Sequence, residues 1–290
     1  MHDRVTRRAA RGVVAVLTAA AVSLGLSACQ SDFLSATGEW RSAVSPSPSV
    51  SASPEAPDQT PDQTPDPAPV PTPKPAPAPS PPPGDPAFDS SRYSIDDPAS
   101  LWVVANKLRP LSPGLFVPPD LVVAGVPFIS NPYLRSDAAI AIAEMFAAAA
   151  AEGAGAMQIQ NAYRSYDTQV RVYGGWVSRV GQATADAQSA RPGHSEHQTG
   201  LGVDITSLPE RCSIEECFGE TAQGAWLAGN AWRFGFILRY PADKTAVTGF
   251  IYEPWHFRFV GTDLSTEMRE RGITTLEEFF GLPAAPNYAG

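Results

Sequence analysis

The 290-residue chain has no apolar run long enough to cross a bilayer as a helix. Its longest, Gly12 to Leu26, is roughly 15 residues against the roughly 20 that a spanning helix needs. Positive charge is also short. Lys and Arg total 21 against 30 Asp and Glu, for a net charge of −9. No basic patch is interleaved with aromatics, so nothing supports binding to a phosphate backbone, and nucleic acid is not an expected partner. There is no internal repeat, which argues against a solenoid or propeller. Histidine and cysteine are scarce, at four and three residues, so chemistry that needs imidazole or thiolate must draw on very few positions.

What is present divides into unequal parts. Arg4, Arg7, Arg8 and Arg11 precede the apolar run, which ends at Leu26-Ser27-Ala28-Cys29. Charge followed by a short apolar stretch reads as an export signal over residues 1–28. Ordinary cleavage after Ala28 would place bulky Leu26 where a small residue is wanted, and the site instead resembles a lipoprotein lipobox. That resemblance implies a lipidated Cys29 at the mature N-terminus, and more than one acyl chain makes such an anchor stable. The expected location is the extracytoplasmic face of the cell membrane. Residues 29–90 read as a linker, dominated from about Val44 to Ala87 by Pro, Ser, Ala, Thr and Asp, with near-strict alternation of proline from Pro65 to Pro83. Such a stretch cannot bury a core and reads as a disordered, polyproline-rich stalk, with a reach on the order of 100 Å.

Residues 91–282 are enough for one well-buried core, with 283–290 as a tail. Ser136 is read as the cap of an alanine-rich helix that Gly153 ends, followed by a strand over Met157 to Ala162. A second helix starts near Ser165 or Asp167 and stops at Gly181. Leu201 to Thr206, Phe236 to Tyr240 and Trp255 to Val260 read as strands, and Ala222 to Phe234 as a helix. The fold class expected is α+β, a single domain with helices packed around a mainly antiparallel sheet. Cys212 and Cys217, in an exported chain, are read as a local disulfide, with a zinc pair as the alternative.

His2 is lost with the signal, which leaves His194, His197 and His256. His197, Asp204 and His256 supply two imidazoles and a carboxylate, a donor set that suits Zn²⁺ and leaves a position open for the water that hydrolysis requires. Gly200 and Gly202 let the chain turn between His197 and Asp204. Glu253, three residues before His256, is a candidate general base. Residues three apart on a strand face opposite sides, so the two can converge only through a turn or bulge at Pro254 and Trp255, which is therefore predicted. Trp255, Tyr163 and Trp176 are read as core, with lining of a cleft as the alternative. Gln169 and His194 stand as either site neighbours or exposed residues.

Four blocks carry a resemblance to a known family: Val104 to Leu111, Ala162 to Tyr166 with Gln169, Gly193 to Gly200, and Glu253 to His256. In order and spacing they resemble the VanY-type D-alanyl-D-alanine carboxypeptidases, zinc peptidases related to the VanX dipeptidases. The resemblance implies that His197, Asp204 and His256 bind zinc, that Glu253 is the general base, that Arg164 binds substrate and stabilises charge, and that Ser195 contacts substrate. It implies removal of the C-terminal D-Ala from peptidoglycan stem peptides. The alternatives are an L,D-carboxypeptidase, a D,D-dipeptidase or an endopeptidase on the same site, or a noncatalytic zinc-containing wall-binding module. Asn161 and Ala162 stand where Ser and Gly are expected, and Gly202 where Ala is common.

Overall fold

The computed structural model describes residues 88–289. The expected signal, the lipidated Cys29 and nearly all of the linker lie outside them. Within them two short strands, β1 (Leu121–Val123) and β2 (Tyr133–Arg135), pair antiparallel and lead into helix α1 (Ser136–Ala151). Alanine gives α1 its high helix propensity. Ala138, Ile142, Met145, Phe146 and Ala149 recur at helical spacing and are buried as one stripe. Gly153 ends the helix with φ +84, a conformation in which a Cβ would be strained. At the other end the expected cap is displaced. Ser136 is the first helical residue, and Arg135, which has no side-chain acceptor, takes the capping position. The Ser136 amide donates instead to the Asp120 carbonyl at 3.1 Å.

Strand β3 (Met157–Asn161) follows, then helices α2 (Tyr166–Val180) and α3 (Gln182–Gln188), and strand β4 (Gly202–Ser207). Ser165 caps α2, its hydroxyl accepting from the Thr168 amide. Helix α4 (Ala222–Asn230) continues as a 3-10 turn, Ala231–Phe234, before strand β5 (Phe236–Leu238). The short helix α5 (Thr245–Thr248), strand β6 (His256–Phe259) and helices α6 (Thr262–Arg271) and α7 (Leu276–Phe279) complete the order. The main sheet is antiparallel throughout, in the order β3-β4-β6-β5. This is the expected α+β arrangement.

β4 and β6 occupy the middle of the sheet and are buried along their whole length. Ile159, Val203, Ile205 and Phe257 join the buried stripe of α1 in one apolar cluster. Each such side chain removed from water contributes about 1.5–3 kcal/mol. A second cluster packs Trp102, Val104 and Ile237 against Leu264, Met268 and Leu276 of α6 and α7. Residues 283–289, read as a tail, pack onto the same body. The Ala285 amide donates to Val247, Lys107 Nζ donates to the Pro286 carbonyl, and the Tyr288 hydroxyl accepts from the Arg191 amide.

Candidate active site

The central strands bring the chemistry-bearing residues together. Asp204 on β4 is registered directly opposite His256, the first residue of β6. Cross-strand partners place their side chains on the same face, a few ångströms apart. His197 reaches the same point from a 3-10 turn, Glu196–Thr199, which ends at Gly200 in the left-handed region. A Cβ on Gly200 would lie 2.8 Å from Leu121 Cδ2 in addition to being strained. Gly202 lets β4 pass beneath the turn, because a Cβ there would lie 3.1 Å from the Glu196 carbonyl carbon and 3.2 Å from His197 N. Glu253 arrives through a turn at Pro254 and Trp255, closed by the His256 amide donating to the Glu253 carbonyl at 3.1 Å. That is the predicted irregularity.

A backbone contact fixes which nitrogen of His197 carries the proton. His197 Nδ1 lies 2.6 Å from the Ala162 carbonyl, which can only accept, so Nδ1 donates and Nε2 presents a lone pair. That lone pair faces Asp204 Oδ2 at 3.2 Å. His256 Nε2 and Glu196 Oε2 lie 3.5 Å apart, and neither has another partner among the described residues. His256 Nδ1 lies 2.9 Å from Asp204 Oδ1, so a metal held by Nδ1 would take the place of a proton there and leave an Nε2 proton facing Glu196. Two imidazole nitrogens and a carboxylate thus converge, with ligand atoms all within 4.8 Å of one another. Acceptor facing acceptor at such distances is repulsive unless a proton or a metal cation lies between, and two imidazoles with a carboxylate are a donor set that fits a small divalent metal. The same pull toward positive charge acts on His256: burial pushes it down, but hydrogen bonds to Asp204 and Glu196 more than reverse this and raise it to about 9, so a metal binding there displaces a proton. Burial works against an ionised Asp204, and His197 and His256 overcome it and hold the carboxyl well below its usual range.

Behind His256 is a buried ionic chain that was not anticipated. Glu196 Oε1 accepts from Arg239 Nε at 2.8 Å and from Arg258 Nη1 at 3.0 Å, with all three side chains fully buried. Arg239 then grips Glu277 with both terminal nitrogens, at 2.9 and 2.8 Å, and Asn106 Nδ2 donates to the same carboxylate. Arg258 also donates to the carbonyls of Leu101, Val103 and Phe259. Burial alone would raise the Glu196 pKa, but Arg239 and Arg258 hold it far below the usual range, so the group facing His256 is a permanent carboxylate.

The groups face a cleft of about 170 Å³ lined by Arg164, Ser195, His197, Asp204, Glu253 and His256 among others. Burial pushes Glu253 up to about 8, with Asp204 and Glu196 adding to the rise and His256 and Arg164 opposing it. Arg164 follows β3, its amide bound to the His197 carbonyl. Its Nη1 donates to Gln169 Oε1 at 3.0 Å, and Nη2 lies 3.7 Å from Asp204 Oδ2. Gln169 is fully buried rather than a surface residue, and its Nε2 donates to the Ala190 carbonyl at 2.6 Å. It therefore clamps the guanidinium. Ser195 is buried at the start of the 3-10 turn.

His194 is half-buried outside the cleft lining, with Nδ1 2.7 Å from the Asn106 carbonyl and its ring edge-on to Tyr288. Trp176 and Trp255 line the cleft, Trp255 also belonging to the main core, whereas Tyr163 is not in the lining. Tyr240, not singled out in the sequence, stacks on His256 with ring centres 5.0 Å apart. Ala162, where Gly is expected, serves through its carbonyl, so the side-chain difference leaves the contact to His197 intact. The sulfurs of Cys212 and Cys217 are bonded to each other, which leaves no thiolates for a metal.

The family model of VanY D-alanyl-D-alanine carboxypeptidase matches residues 131–262. YodJ of Bacillus subtilis (strain 168), named as a carboxypeptidase, is 41% identical over 192 residues, covering 64% of this chain and 69% of that protein. The solved LdcB LD-carboxypeptidase is 40% identical, with a TM-score of 0.59 over 63% of this chain and 87% of that one. A point mutant of the vancomycin-resistance D,D-pentapeptidase VanY, in complex with Zn(II), is 31% identical. Its TM-score is 0.52 over 61% of this chain and 97% of that one.

Proposed function

The chain belongs to the VanY D-alanyl-D-alanine carboxypeptidase family, and from that premise we propose that it is a zinc metallopeptidase removing the C-terminal D-Ala from peptidoglycan stem peptides. The observation that carries this reading is the convergence of two histidine ring nitrogens and one carboxylate in a cleft that Glu253 and Arg164 also line. His197 Nε2, the Asp204 carboxylate and His256 Nδ1 would hold Zn²⁺, which would supply a Lewis acid for the scissile carbonyl and make water a stronger acid. Glu253 takes the proton from the attacking water and passes it to the leaving amine. Its carboxyl is raised by burial, and a dication held beside it would favour the ionised form that a base needs. Arg164, fixed by Gln169, presents a planar, permanently charged donor pair to the free carboxylate that distinguishes a carboxypeptidase substrate. Ser195 offers a hydroxyl to the peptide beside the metal set.

A second reading, L,D-carboxypeptidase activity, is favoured by one observation: the 40% identity to LdcB exceeds the 31% identity to the D,D-pentapeptidase. Product masses separate the two. A stem pentapeptide ending in D-Ala-D-Ala loses one alanine on the first reading, and only a tetrapeptide is shortened on the second. Both peptides intact in the presence of Zn²⁺ would reject hydrolysis.

For location, the basic residues, short apolar run and Leu26-to-Cys29 sequence support a lipid on Cys29, holding the enzyme on the extracytoplasmic face with the proline-rich residues as spacer. Cells making the wild type should yield it in the detergent phase on partitioning. Cys29→Ala should move it to the aqueous or precursor fraction, and unchanged partitioning would reject the anchor.

A further inference from the structure

Besides its polar groups, the cleft lining includes the apolar side chains of Val172 and Trp176 of α2, Trp255 and Ile214. Ile214 comes from a loop of improbable local shape. Cys212 and Ile214 both lie in the left-handed region, at φ 51 and 57. For a β-branched residue that is a genuine outlier. Between them the Ser213 hydroxyl is buried with no hydrogen-bond partner among the described residues. The Cys212–Cys217 disulfide closes the loop, with Cα atoms 5.6 Å apart, and Phe218 beyond it is fully buried. Gly219 lies so close to Tyr252 and Pro254 that a Cβ would come within 2.6 Å of the tyrosine oxygen, so the loop is packed against the turn that carries Glu253. Unfavourable conformations persist only where the surroundings over-determine them, and they concentrate at ligand sites.

We propose that Ile214, clamped by the disulfide, is a specificity-determining residue that forms the apolar wall against an aliphatic side chain of the peptide next to the scissile bond. This rests on the carboxypeptidase reading, in which the polar groups of the cleft engage the carboxylate and the scissile amide. The alanine methyls and aliphatic stems of the peptide then require apolar contact, as ligand sites with few convergent polar groups provide.

The test uses the full-length protein as wild type, Ile214→Gly, and the double variant Cys212→Ser/Cys217→Ser, with a stem pentapeptide as substrate. Ile214 is half-buried and also packs on the main core, so Ile214→Gly trades lost apolar contact against a relaxed backbone at φ 57; it should fold, with Tm lowered by no more than about 5 °C, and bind one zinc per chain. Its KM should rise about tenfold or more, with kcat within about twofold of wild type. The double variant should move KM in the same direction. Wild-type cleavage with an unchanged KM in Ile214→Gly overturns the inference alone, because a residue that serves only packing would give that result. A raised KM in Ile214→Gly but not in the double variant overturns the clamping role of the disulfide. Where only the stem tetrapeptide is cleaved, the same KM comparison is made on it; both peptides intact with the wild-type protein overturn the underlying reading and this inference with it.

Discussion

Replacing Glu253 by Gln or Ala should lower kcat by about 10²–10⁴ while zinc remains bound at one ion per chain. Glu253 is not one of the three converging ligands, and its backbone rather than a ligand side chain sets its position. The turn at Pro254 and Trp255 sets it, and its amide is fixed by donation to the Tyr240 carbonyl at 3.1 Å. The carboxyl is almost wholly removed from water, and burial raises it to about 8, so its charged form is an unfavourable component of the fold. A neutral replacement should therefore leave Tm unchanged or raise it, the usual relation between a functional group and stability. Steady-state kinetics, metal analysis and a thermal melt on one preparation check all three expectations. More than a tenth of wild-type kcat in Glu253→Gln would remove this residue from the role of base.

The second large effect is expected at Glu196, where one substitution should act on both stability and metal affinity. Glu196→Ala leaves Arg239 and Arg258 without the anion they share, although Glu277 and three backbone carbonyls still engage them. Breaking a buried ion pair by removing one partner costs about 3–5 kcal/mol. In a domain of this size that corresponds to a fall in Tm of about 10 °C. His256 also loses the carboxylate facing Nε2, so its tautomer and ring orientation are no longer held. Loss of such a partner typically weakens metal affinity by about 10–100-fold. Glu196→Gln keeps an acceptor for Arg239 and should be milder on both counts. Thermal melts and competition for zinc against a chelator of known affinity measure these effects. Wild-type Tm together with wild-type zinc affinity in Glu196→Ala would mean that the ionic chain supports neither.

The contrast between these two glutamates shows what the sequence makes legible. Glu253 stands out because Pro254 excludes a helix and because His256 lies three residues on, so the converging geometry follows from backbone rules and local spacing. The same is true of the glycines that bend the chain between His197 and Asp204, and of the alanine-rich α1 that Gly153 ends. Glu196 sits beside His197, yet its partners are 43 and 62 residues away, and no local rule pairs them. A faint signal does exist. Arg239 ends the apolar run Phe236-Ile237-Leu238, and Arg258 interrupts Phe257 and Phe259, so each places a charge where the pattern demands burial. A buried arginine needs an anion, and the search for that anion leads to Glu196 and Glu277. Gln169 was ambiguous because α2 exposes most of its surface, and only the Arg164 and Ala190 contacts decide which side it faces. The displaced start of α1 has a similar cause, since the Ser136 amide finds its acceptor in the Asp120 carbonyl, a contact that no local rule supplies.

The most direct test of the central claim is a zinc titration of metal-stripped full-length protein with a stem pentapeptide ending in D-Ala-D-Ala, following released D-alanine. The account predicts no release without metal, a rise in proportion to added zinc, and a plateau at one equivalent per chain. Release at the same rate from chelated protein, or none at saturating zinc, would contradict it.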